Sequence, residues 1–138
     1  DWPMEMLKAA IAVALVLGVL DGIWLGFIVR DWLVKQFGGR LRDPVFWPPA
    51  IVFYVIYSVG LAFFAVTPAM AVGGDWVMAL GLGGFIGLIA YGTYDLTNWA
   101  TIKDWPRQFA IVDLIWGPVV SAASAAGAVL LLKVTGLG

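Results

Sequence analysis

The chain contains no cysteine and no histidine, and charged residues make up only 12% of its 138 positions. Without cysteine it can form no disulfide, no thiolate zinc site and no iron–sulfur cluster. Without histidine it lacks the usual axial ligand of haem or chlorophyll, so we expect no His- or Cys-ligated cofactor. The net charge of −1 leaves no electrostatic footprint for nucleic acid, and we expect no such partner.

The remaining residues are mostly apolar and fall into four long segments. Hydrophobic residues make up 62% of the chain, and each segment approaches the ~20 residues that cross a bilayer as a helix. We therefore predict an all-α fold: an integral membrane bundle of four transmembrane helices, with both termini on the same side. It forms one transmembrane domain over residues 1–138, with helices at about 6–29, 49–72, 76–101 and 109–132. The first segment lacks a basic leader and is expected to be a retained helix.

Basic residues are unevenly distributed between the two ends of the predicted bundle. The loops at 30–47 and 103–107 carry six lysines and arginines, whereas the opposite end carries Lys8 and Lys133. The positive-inside rule therefore predicts that the basic loops are cytoplasmic and that both termini lie outside. Segment 31–37 is expected to be either a short amphipathic helix in the membrane interface or an ordinary basic loop.

Three aspartates, Asp21, Asp95 and Asp113, lie inside the apolar segments. Each is six to nine residues from a basic loop, so the helical rise places all three at a similar depth in the cytoplasmic half. A charged group there costs about 2.5–3.5 kcal/mol on insertion scales. No lysine or arginine is buried with them, so we expect these carboxyl groups to be protonated, hydrogen-bonded to tyrosine or holding a cation.

Aromatic and polar side chains share this layer and predict a ligand or cation pocket. Its predicted residues are Asp21, Trp24, Tyr54, Tyr57, Tyr91, Asp95, Asn98, Asp113 and Trp116. Small residues are concentrated in the other half, which predicts close helix packing there and a bundle that opens at its cytoplasmic end. The predicted packing residues are Gly83, Gly87, Gly117, Ser121 and Ser124.

Four stretches of the sequence resemble a known family. They are LDGIWL at 20–25, FYVIY at 53–57, YGTYDLTN at 91–98 and VDLIWG at 112–117. These blocks are similar to the bacterial membrane family of domain of unknown function 2177, and the resemblance covers nearly the whole chain. It implies a multi-pass protein of the bacterial inner membrane, which by the charge count has periplasmic termini. The resemblance implies no activity.

The polar layer is compatible with several functions. The first is binding of a proton, a cation or an amphipathic small molecule; oxygen-only ligands suit Mg²⁺ or Ca²⁺. Contact with membrane lipid, a quinone or a carotenoid fits the tryptophans. The alternative is an accessory or structural subunit of a homo-oligomer or of a larger membrane complex, because small-residue faces suit helix contacts.

Two further readings of the aspartates are open. A membrane-embedded lipid-modifying enzyme has less support, because no nucleophile–base pair is present, and we assign no catalytic residue. In the simplest reading the aspartates only form hydrogen bonds between helices, to Tyr54, Tyr91 or Ser58.

Overall fold

The computed structural model describes residues 1–138 and is 86% helical, with no strand. Four helices are long and apolar enough to cross a membrane: α1 (Trp2–Ile28), α3 (Trp47–Ala71), α4 (Trp76–Thr101) and α5 (Arg107–Thr135). A short helix, α2 (Arg30–Phe37), lies between α1 and α3. The predicted all-α membrane bundle with four transmembrane helices is confirmed.

The surface of this bundle is apolar, as hydrocarbon requires. Only 29 of the 138 residues are buried, and large apolar side chains such as Phe27 and Ile56 are 84% and 66% exposed. A monomer in water rarely exposes apolar patches of this extent. Each helix satisfies its own backbone hydrogen bonds, so lipid can surround it without leaving peptide groups unpaired.

Local sequence sets the turn between α3 and α4. Gly73 and Gly74 have φ values of 88° and 80°, a left-handed conformation that glycine adopts without steric cost. Asp75 then caps α4, because its Oδ1 accepts hydrogen bonds from the backbone N–H groups of Val77 and Met78 at 3.1 Å each.

Helices α4 and α5 make the closest contact in the bundle. A Cβ atom added at Gly83 would lie 2.7 Å from Ala125 Cβ, and one added at Gly87 would lie 2.6 Å from the Gly117 carbonyl oxygen. Glycine therefore lets the two backbones approach to a distance that any side chain would prevent. Of the five predicted packing residues, Gly83, Gly87, Gly117 and Ser121 lie at this interface, and Ser124 is fully buried on α5.

The two ends of the bundle differ in packing. We call the end formed by residues 30–46 and 102–106 the basic end, and the end formed by residues 1–5, 72–75 and 136–138 the terminal end. At the terminal end Lys8 Nζ donates to the Leu137 carbonyl oxygen at 3.2 Å. Helix α3 is closely packed there against α1, α4 and α5. Toward the basic end α3 packs chiefly on α1, and residues 47–56 are exposed or half-buried.

Helix α2 packs against the basic end of α5 through aromatic rings. Phe37 lies edge-on to Phe109, with ring centroids 4.9 Å apart, and edge-on to Trp105 at 5.6 Å. Of the two interpretations of segment 31–37, the structure shows the helix. The adjacent end of α1, Trp24–Ile28, is a π-helical turn, and α3 contains a second one at Ala62–Val66.

We predict that Gly87→Ala destabilises the bundle by about 1–3 kcal/mol, because the added methyl group has no space against α5. The matched control is Gly81→Ala on the same helix, since a Cβ atom there meets nothing within 4 Å. The control should be neutral or slightly stabilising. Thermal unfolding in detergent, followed by circular dichroism, measures both variants. Equal melting temperatures for the two would contradict the close α4–α5 packing.

Candidate functional site

The Asp21 carboxyl group connects three helices. Its side chain on α1 is only 5% exposed. The Tyr54 hydroxyl on α3 donates to Asp21 Oδ2, and Trp116 Nε1 on α5 donates to Asp21 Oδ1 at 3.0 Å. Inside hydrocarbon no water replaces such donors, so these bonds hold α3 and α5 in register with α1.

The Trp116 indole ring is itself held in place by α1. Trp24, three residues after Asp21, stacks on Trp116 with ring centroids 4.2 Å apart and an interplanar angle of 9°. Trp24 is also the first residue of the π-helical turn. One turn of α1 therefore supplies both the carboxyl group that accepts from Trp116 and the ring that stacks on it.

A second polar contact lies in the centre of the bundle. The Tyr57 hydroxyl and Ser121 Oγ are 2.6 Å apart and share a hydrogen bond between α3 and α5. Tyr91 on α4 lies edge-on to Tyr57, with centroids 6.2 Å apart, and its ring occupies the space next to Gly117. These contacts fill the interior between α3, α4 and α5.

Asp95 on α4 and Asp113 on α5 form a separate pair of acids. Asp95 is fully buried, and neither of its carboxyl oxygens accepts a hydrogen bond from a hydroxyl or N–H group. The neighbouring acid is Asp113, which is half-buried on α5. Two ionised carboxylates cannot bond to each other, since neither carries a donor, so a hydrogen bond between these acids would need a proton on one of them.

A groove of about 880 Å³ runs along the seam between α1 and α3. Most of its wall is apolar, and the polar side-chain groups within it belong mainly to Asp21, Tyr54 and Ser58. The lining residues are Leu7, Ala10, Ile11, Ala14, Gly18, Asp21, Gly22, Leu25, Gly26, Val45, Trp47, Ala50, Ile51, Tyr54, Val55, Ser58 and Val59.

The groove exists because α1 presents glycine along it. Gly18, Gly22 and Gly26 follow one another at intervals of four residues, so they lie on one face of the helix. A Cβ atom at any of the three would meet nothing within 4 Å. These glycines therefore leave open space beside the Asp21 carboxyl group rather than bringing two helices together.

Ser58 is the unsatisfied polar group of this groove. Its side chain is 3% exposed, and its Oγ has no hydrogen-bond partner in the structure. A buried hydroxyl group without a partner costs about 1–3 kcal/mol. Ser58 therefore places an unpaired hydroxyl group just behind the groove wall, one helical turn from Tyr54.

The structure distributes eight of the nine predicted pocket residues among three places and leaves Asn98 apart from them. Asp21 and Tyr54 line the groove, and Trp24 and Trp116 support them. Tyr57 and Tyr91 fill the interior, Asp95 pairs with Asp113, and Asn98 is half-buried on α4. No three acidic side chains come close enough together to hold a metal ion.

Sequence reasoning did not assign Ser58 or the glycines of α1 to the pocket. The available signal was the four-residue spacing of Gly18, Gly22 and Gly26 beside Asp21. We read small residues only as packing positions, although the same pattern on a face without a partner helix leaves a groove.

Comparison with known proteins identifies a family but no characterised relative. Searches of curated proteins and of solved structures found no match. The profile of a family described as "Predicted membrane protein (DUF2177)" matches residues 6–130, which include most of all four transmembrane helices. This match confirms the resemblance seen in the four sequence blocks around Asp21, Tyr54, Asp95 and Asp113. The chain therefore belongs to the DUF2177 family of membrane proteins.

Proposed function

We propose that the protein binds an amphipathic, lipid-like molecule in the groove between α1 and α3. The observation that carries this proposal is the combination of a large apolar groove with a small cluster of polar side chains, Asp21, Tyr54 and Ser58, in its wall. Its volume of about 880 Å³ lies within the ~300–1,000 Å³ of ligand sites, which are typically apolar with a few placed polar groups.

The hydroxyl groups of Tyr54 and Ser58 suit an uncharged polar part of a ligand. The Tyr54 hydroxyl already donates to Asp21, and its oxygen keeps a lone pair; the Ser58 hydroxyl is free both to donate and to accept. A ligand hydroxyl or ester group could satisfy Ser58 without breaking the bonds that orient Asp21. The apolar part of the ligand would then lie against the glycine face of α1.

A cation or a proton has less support as the ligand of this groove. A divalent ion bound by protein oxygens takes about six to eight ligands, and the groove supplies one carboxyl group. The second pair of acids, Asp95 and Asp113, belongs to α4 and α5 and does not line the groove. A proton shared by these two acids would form a bond between helices and would not create a site in the groove.

No separate observation supports the two alternative hypotheses, an accessory subunit of a membrane complex and a lipid-modifying enzyme. The small-residue face of α4 that suggested a partner helix, at Gly83 and Gly87, packs against α5 of the same chain. The groove contains no serine–base or carboxylate pair arranged for acid–base work, since its one hydroxyl without a partner lies beside a single carboxyl group.

We also propose that the protein lies in a bacterial inner membrane with its basic end in the cytoplasm and both termini in the periplasm. The support is the charge distribution, six basic residues against two, between the ends of the bundle. With this orientation the groove begins in the cytoplasmic leaflet, because Val45 and Trp47 line its end beside the basic loop.

We predict that Gly22→Leu abolishes most lipid-like binding while leaving the fold intact. The new side chain enters open space in the groove and meets no atom of the protein within 4 Å at its Cβ. Native mass spectrometry of the purified protein should show at least about a tenfold loss of the bound molecule, since occupied space cannot also hold a ligand. Thermal unfolding should remain unchanged.

The matched control is Gly81→Leu, which adds the same side chain in open space on α4, away from the groove. It should retain binding. A Gly22→Leu protein that keeps its ligand, or a wild-type protein that never carries one in mild detergent or nanodiscs, would overturn the proposed function.

Cysteine labelling tests the proposed orientation, and the chain has no cysteine of its own that would react. Gly39→Cys lies in the basic loop, and Leu137→Cys lies at the exposed C-terminus. In intact spheroplasts a membrane-impermeant maleimide should label Leu137→Cys alone and should reach Gly39→Cys only after lysis. The reverse pattern would show that the basic end faces the periplasm.

A further inference from the structure

We infer that Asp95 on α4 and Asp113 on α5 form a proton-binding site, which holds a proton between the two carboxyl groups at neutral pH. Neither acid lines the groove, so the site is separate from it. The inference does not depend on the proposed ligand of the groove. It assigns a bound proton to the contact between α4 and α5 and makes that contact sensitive to pH.

The register of α4 against α5 places the two acids opposite each other. Residues four apart lie on one face of a helix, so successive contacts between two antiparallel helices step by four along each of them. Three such contacts follow one another along this pair: Gly83 with Ala125, Gly87 with Ser121, and Tyr91 with Gly117. The next step of the same series pairs Asp95 with Asp113. This placement follows from the close approach of the backbones and not from the charge of either acid.

Asp95 is a buried carboxyl group for which the protein supplies no donor. Its side chain is 0% exposed, and neither of its oxygens has a hydrogen-bond partner. Asp21 differs, since it accepts hydrogen bonds from Tyr54 and Trp116. An ionised carboxylate that loses its water without gaining donors is far more costly than a neutral acid. The neutral form of Asp95 avoids this cost and carries an O–H group that Asp113 can accept.

No positive charge compensates the pair. The sole ion pair within the protein joins Lys8 to Glu5 at the terminal end. The titratable groups around the two acids are Tyr91 and Tyr94 on α4 and Asp21 on α1, and none of these can carry a positive charge. Helix α3 contains no charged residue. The charged residues of α2, of the adjacent loop and of the start of α5 form no ion pair with either acid: Arg30, Asp31, Lys35, Lys103, Asp104 and Arg107.

A shared proton replaces repulsion between the two acids with a hydrogen bond. The protonated carboxyl group donates, and the other accepts. Without the proton, two negative charges would face each other on adjacent helices in a medium of low dielectric constant, where their repulsion is strong. Asp113 is half-buried and lies six residues, about 9 Å of helix, from Arg107 at the basic end. We therefore expect the pair to exchange its proton at that end.

The experiment compares Asp95→Asn with Asp75→Asn on the same helix. Asparagine has the shape of the protonated acid and supplies its own N–H donors, so the pair with Asn at 95 needs no proton. Asp75 is the exposed cap of α4, and asparagine caps a helix about as well as aspartate. Infrared spectra of the full-length protein are recorded at neutral pH in a detergent without carbonyl groups. Exposed acids are ionised there, so a protonated-carboxyl band reports interior acids.

We expect the wild-type protein and Asp75→Asn to show this band at equal intensity and Asp95→Asn to lose it. Raising the pH should remove the band from the wild-type protein reversibly. It should also lower the melting temperature by about 5 °C, because a proton that binds only the folded pair stabilises the fold. Asp75→Asn should show the same fall, which includes every other effect of alkaline pH, and Asp95→Asn should show a smaller one.

Absence of the band from the wild-type protein would overturn the inference, and this measurement needs no variant. A band of unchanged intensity in Asp95→Asn would assign the proton to another interior acid, such as Asp21, and would also reject the site. An equal fall in melting temperature for Asp95→Asn and Asp75→Asn would show that the contact of α4 with α5 does not depend on the proton.

Asp113→Asn provides a second test that stands even where Asp95→Asn does not fold. It changes the group to which the proton is bonded, so the band should disappear or shift in frequency. A band unchanged in both intensity and frequency would place the proton away from Asp113 and reject the pair. None of these outcomes concerns binding in the groove, so this inference and the proposed function fail separately.

Discussion

A carboxyl group below the membrane surface has no water to satisfy it, so the protein must provide its donors. Asp21 obtains two of them from different helices, the Tyr54 hydroxyl on α3 and the Trp116 indole on α5. This constraint determines how α1, α3 and α5 meet in the half of the bundle where packing is loosest. Because α3 packs chiefly on α1 there, the bond to Tyr54 sets the register of the two walls of the groove.

Side-chain size explains why the packing of the helices is closer near the terminal end than near the basic end. Near the terminal end, fully buried aliphatic residues such as Leu61, Val66 and Val129 close the interior, and small residues let α4 approach α5. Buried polar side chains end near Ser58 and Ser124. The interior therefore has no buried polar side chain toward the terminal end, and the buried polar groups form no continuous path across the bundle.

The fold followed from the sequence more readily than the site. Apolar segments of membrane length must be helices in a bilayer, so composition and length were enough to predict four of them. Which side chains each aspartate contacts depends on how each helix is rotated about its axis. The spacing of residues along the sequence does not determine that rotation. Asp21 meets Tyr54 and Trp116, whereas Asp95 meets Asp113. The π-helical turns of α1 and α3 alter which residues face inward, and no simple sequence pattern predicts these turns.

The hypothesis that the aspartates only form hydrogen bonds between helices explains part of this arrangement. Asp21 is satisfied by two donors, and an acid pair between α4 and α5 would hold those helices together. It does not explain Ser58, which is slightly more buried than Asp21, lines the same groove and has no partner. Ser124 is unpaired in the same way but does not line the groove. Helix packing alone would favour alanine at that position, since a buried hydroxyl group left unpaired costs stability. Under the proposed function, a polar group of the ligand that met Ser58 would remove this cost, and the open glycine face of α1 would provide the space for the rest of that molecule.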